Sequence, residues 1–154
     1  MATYGESSKR RLATCNDNMQ EVFKDVIQVV DNSILVGHRS EADQTAAYAS
    51  GNSKVKWPNS KHNSQPSRAV DAAPYPIDWA PLPKENELKH WDRNDLLRWA
   101  KQYCRFHYLA GVVLGVGFVK GIHIRWGGDW DEDDDFSDQT FDDLVHFEEV
   151  EDEA

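Results

Sequence analysis

Apolar residues recur at Met19, Val22, Phe23, Val26, Ile27 and Val30 with the i, i+3, i+4, i+7 spacing of a helix that buries one face. This stripe constrains the fold more than any other feature, because a one-sided helix is stable only against a second layer. Asn16 or Asp17 supplies its N-cap. Candidates for the second layer follow. Ser33-Ile34-Leu35-Val36-Gly37 reads as a short buried strand, and Ser40 opens a second helix reaching about Tyr48. Gly51 to Gln65 has loop composition, and Ala69 to Ala73 is a small-residue strand ended by Pro74-Tyr75-Pro76. A long helix is expected from Arg93 to Leu109, with Leu96, Leu97, Ala100, Tyr103 and Cys104 on one face; Gly111, Gly115, Gly117 and Gly121 read as punctuation after it. Ile122 to Trp126 alternates like a strand, and Leu144 to Phe147 closes the series. The expectation is an α+β fold: a small, mostly antiparallel sheet with helices packed on one side and long loops at the other.

At 154 residues the chain has the length of one domain and can bury a core without disulfides. Cys15 and Cys104 lack metal-type or paired spacing and read as free thiols. There is no apolar run long enough to span a membrane, and Met1 to Arg11 lacks the apolar segment of a secretory signal, so the expectation is a chain made and left in a cytoplasm. Charge is divided unevenly. All 17 Lys and Arg lie at or before Arg125, where the net charge is +4, whereas positions 129 to 153 carry 14 acidic residues and no base. An acidic segment repels phosphates and the bases are dispersed, so nucleic acid is excluded as the expected partner. The body suits an anionic substrate, and a monomer is the default.

Chemistry concentrates in two stretches, Ser60-Lys61-His62 leading to Ala69-Val70-Asp71, and Asp143-Leu144-Val145-His146. Together they supply two histidines and a carboxylate, enough to hold zinc with one position open, and a second carboxylate to move protons.

With Gly37-His38-Arg39-Ser40 and Gln44 before them, and Phe147-Glu148 after, these stretches resemble the ordered motifs of the zinc D,D-peptidase and L-alanyl-D-glutamate peptidase family. That family includes phage endolysins and D-alanyl-D-alanine carboxypeptidases and shares its fold with the Hedgehog signalling domain. Arg125-Trp126-Gly127-Gly128-Asp129-Trp130 resembles the segment before the closing motif of the phage members. The resemblance runs from about Leu12 to Glu148. It implies a peptidase domain over residues 12–148, an N-terminal tail over 1–11 and an acidic tail over 149–154. It also implies zinc ligands His62, Asp71 and His146, a proton shuttle at Asp143, and Arg39 as an oxyanion stabiliser or carboxylate anchor. Gln44 and Ser60 would belong to the substrate-binding surroundings, Ser60 as a support of the His62 loop rather than a nucleophile. One departure stands out. His62 and Asp71 are nine positions apart where the family pattern has seven, with Ser64-Gln65-Pro66-Ser67 replacing a glycine, which reads as a longer loop.

Each assignment has a plainer rival. His38, His90, His107 and His123 read as surface or core residues, and the tryptophans as packing. The run from Asp129 to Asp135 places oxygens at Asp131, Asp133, Asp135 and Asp142 in a calcium-like order, but Phe136 stands where the calcium loop requires Gly, so a solvated acidic loop is the default and Ca2+ the alternative. Three functions follow from the resemblance. The first is a zinc-dependent phage endolysin cutting a peptidoglycan stem peptide, between L-alanine and D-glutamate, after holin-mediated release from the host cytoplasm. The second is a D-alanyl-D-alanine carboxypeptidase. The third is a non-catalytic zinc-containing binding domain, which the presence of Asp143 argues against.

Overall fold

The computed structural model describes residues 1–81 and 83–151; Leu82 and residues 152–154, the end of the expected acidic tail, lie outside the described residues. Among the described residues five α-helices accompany a four-stranded antiparallel sheet, as the α+β reading expects. Helix α2 (Asp17–Val29) is capped by Asn16, whose side chain accepts from the Met19 amide, and it buries Met19, Val22, Phe23, Val26 and Ile27. Strand β1 (Asn32–Val36) follows, then helix α3 (Glu41–Ala49), capped by Ser40. Strand β2 is Ala69–Pro74, helix α4 is the single turn Glu85–Leu88, and helix α5 is Arg93–Lys120. Strands β3 (Ile124–Trp126) and β4 (His146–Glu149) complete the sheet in the order β1-β2-β4-β3. Among the described residues no helix is long and apolar enough to cross a membrane.

Three expectations change. Part of the expected N-terminal tail is helix α1 (Glu6–Leu12), which packs on β1: the Ser8 hydroxyl accepts from the Ile34 amide at 3.1 Å and Arg11 donates to the Ile34 carbonyl at 2.9 Å. The long helix continues eleven residues past Leu109, through three of the expected glycine breaks. Its expected core face at Leu96 and Leu97 is exposed, and burial comes instead from Phe106, Leu109, Ala110, Val113 and Gly117. Tertiary burial here outweighs the local cost of glycine. The helix ends only at Gly121, which takes the left-handed conformation at φ 69° and donates its amide to Phe118. The closing strand begins at His146 rather than Leu144.

The core lies between the sheet and the pair α2 and α5. Phe23 of α2 meets Phe147 of β4 edge to face at 5.8 Å, and Val70, Ala72, Leu109, Val113 and Trp126 fill the remainder. Because side chains alternate along a strand, sending Val70, Ala72 and Phe147 into the core turns Asp71, His146 and Glu148 to the opposite face. That face carries the candidate chemistry.

The glycines of α5 give a direct test of this packing. A Cβ at Gly117 would lie 2.9 Å from the Ile122 carbonyl and from Ile124 Cγ1, whereas one at Gly111 or Gly115 would meet nothing. Gly111→Ala and Gly115→Ala are therefore expected to stabilise the protein by about 0.5–1 kcal/mol each, and Gly117→Ala to destabilise it, as read by thermal or urea unfolding.

Candidate active site

The β2–β4 register sets Asp71 directly opposite His146, and the turn at Lys61–Asn63 brings His62 over both. His62 Nε2 lies 3.0 Å from Asp71 Oδ1 and 3.2 Å from His146 Nδ1, and His146 Nδ1 is 3.2 Å from the same Asp71 oxygen. The edge of a zinc tetrahedron with ligands at about 2.0 Å is about 3.3 Å, so this triangle fits the ion without rearrangement. The outward nitrogens are engaged. His62 Nδ1 faces the Gly37 carbonyl at 2.7 Å, and His146 Nε2 faces Glu148 Oε2 at 2.9 Å. Both rings thus turn lone pairs inward, as metal ligands require. The nine-residue separation of His62 and Asp71 is accommodated by a loop folded on itself, with the Arg68 amide donating to the Lys61 carbonyl and to Ser64 Oγ.

All three candidate ligand residues are buried. Burial works against ionisation of Asp71, but the two imidazoles more than offset it and hold the carboxyl far below its usual range. For His146 burial lowers the pKa, and hydrogen bonds to Asp71 and Glu148 with the charge of Asp143 raise it, to about 9.

Asp143 sits in a turn against β4: its amide donates to Gly127 at 2.7 Å, and its carbonyl accepts from His146 at 3.0 Å. Gly127 is required there, since a Cβ would lie 2.4 Å from the Asp143 carbonyl oxygen and 3.1 Å from His146 Cβ. Burial, helped by the Asp71 charge, raises the Asp143 pKa to about 6, which suits a group that takes and returns a proton near neutrality. Asp143 shares with Arg39, Ser60, His62, His146 and Glu148 a cavity of about 480 Å³, which Lys54, Lys61 and Arg125 make cationic on its flanks.

Arg39 reaches Asp71 Oδ2 and Gln44 Oε1, each at 3.2 Å. Ser60 supports the His62 turn by accepting from its amide. Gln44 departs from expectation. It is fully buried, with its oxygen on Arg39 and Asn63 and its amide nitrogen on Ser53 and Val55, so it braces Arg39 and does not face a substrate. The carboxylates of the alternative calcium reading are also arranged differently. Asp131 and Asp133 group with Asp129, while Asp135 accepts from the amide and hydroxyl of Ser137, and Asp142 is outside the group. Trp130, expected as a packing residue, packs its ring on His146 at 5.4 Å, and Glu148, given no role of its own in the sequence reading, faces the same imidazole. The His-x-Glu spacing on a strand carried a signal for Glu148.

Two imidazoles and a carboxylate around one point, beside a half-buried carboxylate in an open cavity, form a group that could hold a metal ion on an α+β scaffold. Residues 1–150 match the family model described as phage L-alanyl-D-glutamate peptidase. The L-alanyl-D-glutamate peptidase of Escherichia phage T5 is 30% identical over 142 residues, covering 88% of this chain and 87% of the relative. The chain belongs to the phage L-alanyl-D-glutamate peptidase family. Its fold is that of the Serratia marcescens L-Ala D-Glu endopeptidase ChiX, with a TM-score of 0.63 and 21% identity over 96% of this chain and 90% of that one.

Because a metal displaces the proton held near His146, zinc binding at pH 7 is expected to release protons, and zinc affinity to rise with pH until about 9. Titration calorimetry in buffers of different ionisation enthalpy reads both effects.

Proposed function

We propose that the protein is a zinc-dependent peptidoglycan peptidase of phage endolysin type that hydrolyses a stem-peptide amide between L-alanine and D-glutamate. The observation that carries this reading is the closed triangle of His62, Asp71 and His146 with Asp143 beside it in a single cavity. The names of the T5 and Serratia relatives support the bond assigned. So does the flanking charge: a glutamyl residue in amide linkage keeps one free carboxylate, and Lys54 and Lys61 line the cavity it would enter. Every residue invoked comes from one chain, so the reading calls for a monomer. Release to the wall by a holin completes it.

In this mechanism His62, Asp71 and His146 would hold zinc, which when bound would supply Lewis acidity toward water and the scissile carbonyl. Asp143 accepts the proton that attacking water sheds and returns it to the departing amine of D-glutamate. Arg39, fixed by Gln44 and Asp71, offers N–H groups to the carbonyl oxygen as it gains charge. Trp130 covers one face of His146 and limits water on that side.

Mass spectrometry of fragments released from purified peptidoglycan by the zinc-loaded protein tests the assignment. New L-alanine C-termini paired with D-glutamate N-termini are expected; release of terminal D-alanine would make it a carboxypeptidase, and no release with zinc bound would favour a binding domain. Asp143→Asn is expected to keep zinc and lower kcat by about 10²- to 10⁴-fold. Since Asp143 must be ionised to accept the proton, wild-type kcat/KM is expected to fall on the acid side of about pH 6, and that limb to be absent from the residual activity of Asp143→Asn.

A further inference from the structure

We infer that Glu148, held in place by Arg125, is a positioning residue that fixes the tautomer and ring orientation of His146 and thereby sets the affinity of the site for its metal. The inference deepens the zinc reading above and rests on it.

An imidazole offers one lone pair when neutral, and which nitrogen keeps it depends on what faces the other. Nδ1 of His146 points at His62 Nε2 and Asp71 Oδ1, each 3.2 Å away, so a hydrogen on Nδ1 would occupy the metal position. Glu148 Oε2 stands 2.9 Å from Nε2, and an ionised carboxylate only accepts. The hydrogen is therefore held on Nε2 and the Nδ1 lone pair is left for the ion. His146 and Glu148 are two positions apart on β4, so strand alternation places both on the site face.

Glu148 is itself only 6% exposed, and a carboxylate buried to that degree needs a partner. The β3–β4 register supplies it by setting Arg125 opposite Glu148. Two guanidinium nitrogens, Nε at 3.2 Å and the terminal NH2, donate to Oε1, leaving Oε2 for His146. Each carboxylate oxygen has one task, so the group cannot rotate without breaking both. Arg125 also lies over the Trp130 ring at 5.8 Å, and Trp130 packs on His146. The ring is thus held at its edge by Glu148 and on its face by Trp130, both tied to Arg125. The corresponding hydrogen of His62 is held by the Gly37 carbonyl, a backbone group that substitution cannot remove, which makes Glu148 the half of the arrangement open to test.

The experiment measures zinc affinity by chelator competition and the visible spectrum of the Co2+-loaded protein for wild type, Glu148→Ala, Glu148→Gln and Arg125→Met, with unfolding of each metal-free protein followed separately. Glu148→Ala is expected to weaken zinc binding about 10- to 100-fold and to shift the Co2+ bands. Glu148→Gln, which keeps an acceptor oxygen without charge, is expected to lose less, and Arg125→Met to weaken binding in the same direction. Zinc affinity and Co2+ bands unchanged in both Glu148 variants overturn the inference, even if the metal-free proteins are less stable, since that is the result of a purely structural ion pair. If Glu148→Ala does not fold, Glu148→Gln and Arg125→Met decide. A wild-type protein that binds no zinc removes the zinc reading and the inference together, whereas wild-type binding with indifferent variants removes the inference alone.

Discussion

The antiparallel pairing of β2 with β4 is the constraint on which the rest depends. It sets Asp71 opposite His146 and Val70 opposite Phe147, so one register serves the core and the site at once. A slip of one residue would turn Phe147 toward the cavity and both ligands into the core, where a charge without a partner is not tolerated. The helices α2 and α5 enforce the register by taking Phe147 and Val70 into the packed layer between them and the sheet. The geometry of the His62, Asp71 and His146 group is thus held by hydrophobic packing on the far face of the same strands.

Around that pair the site is assembled from groups of different rigidity. His62 arrives on a turn whose capping by Ser60 and Asn63 fixes its entry, and its outward nitrogen is tied to a backbone carbonyl. Asp143 arrives from the acidic loop and is held only where Gly127 lets the chain come close. Trp130 ties this loop back to the site through Phe141, whose carbonyl accepts from the indole at 2.7 Å. The loop that carries Asp143 is also the segment richest in negative charge, so its position balances repulsion among its carboxylates against a few anchoring contacts.

Much of this was legible in the sequence because the relevant signals are local. The stripe from Met19 to Val30 and the caps at Asn16 and Ser40 specify α2 and α3 with little help from the rest of the chain. The grouping of His62, Asp71 and His146 was legible because each stands in a recognisable motif. What escaped depends on contacts between distant segments. Helix α1 has a mostly polar sequence and is defined by docking on β1. The last turns of α5 contain glycines that weaken the local helix signal, while Val113 and Gly117 are buried by packing no local window sees. The resemblance implies Gln44 among the substrate-binding surroundings, but its buried amide is consumed by Arg39, Asn63, Ser53 and Val55, contacts that no motif carries.

The central claim is that zinc occupies the point defined by His62, Asp71 and His146. Zinc K-edge X-ray absorption of the singly loaded protein tests it most directly. The account expects a four-coordinate shell of nitrogen and oxygen at about 2.0 Å with the outer-shell scattering of two imidazoles. A shell of oxygen alone, without imidazole scattering, would place the ion among the carboxylates of the acidic loop and contradict the account.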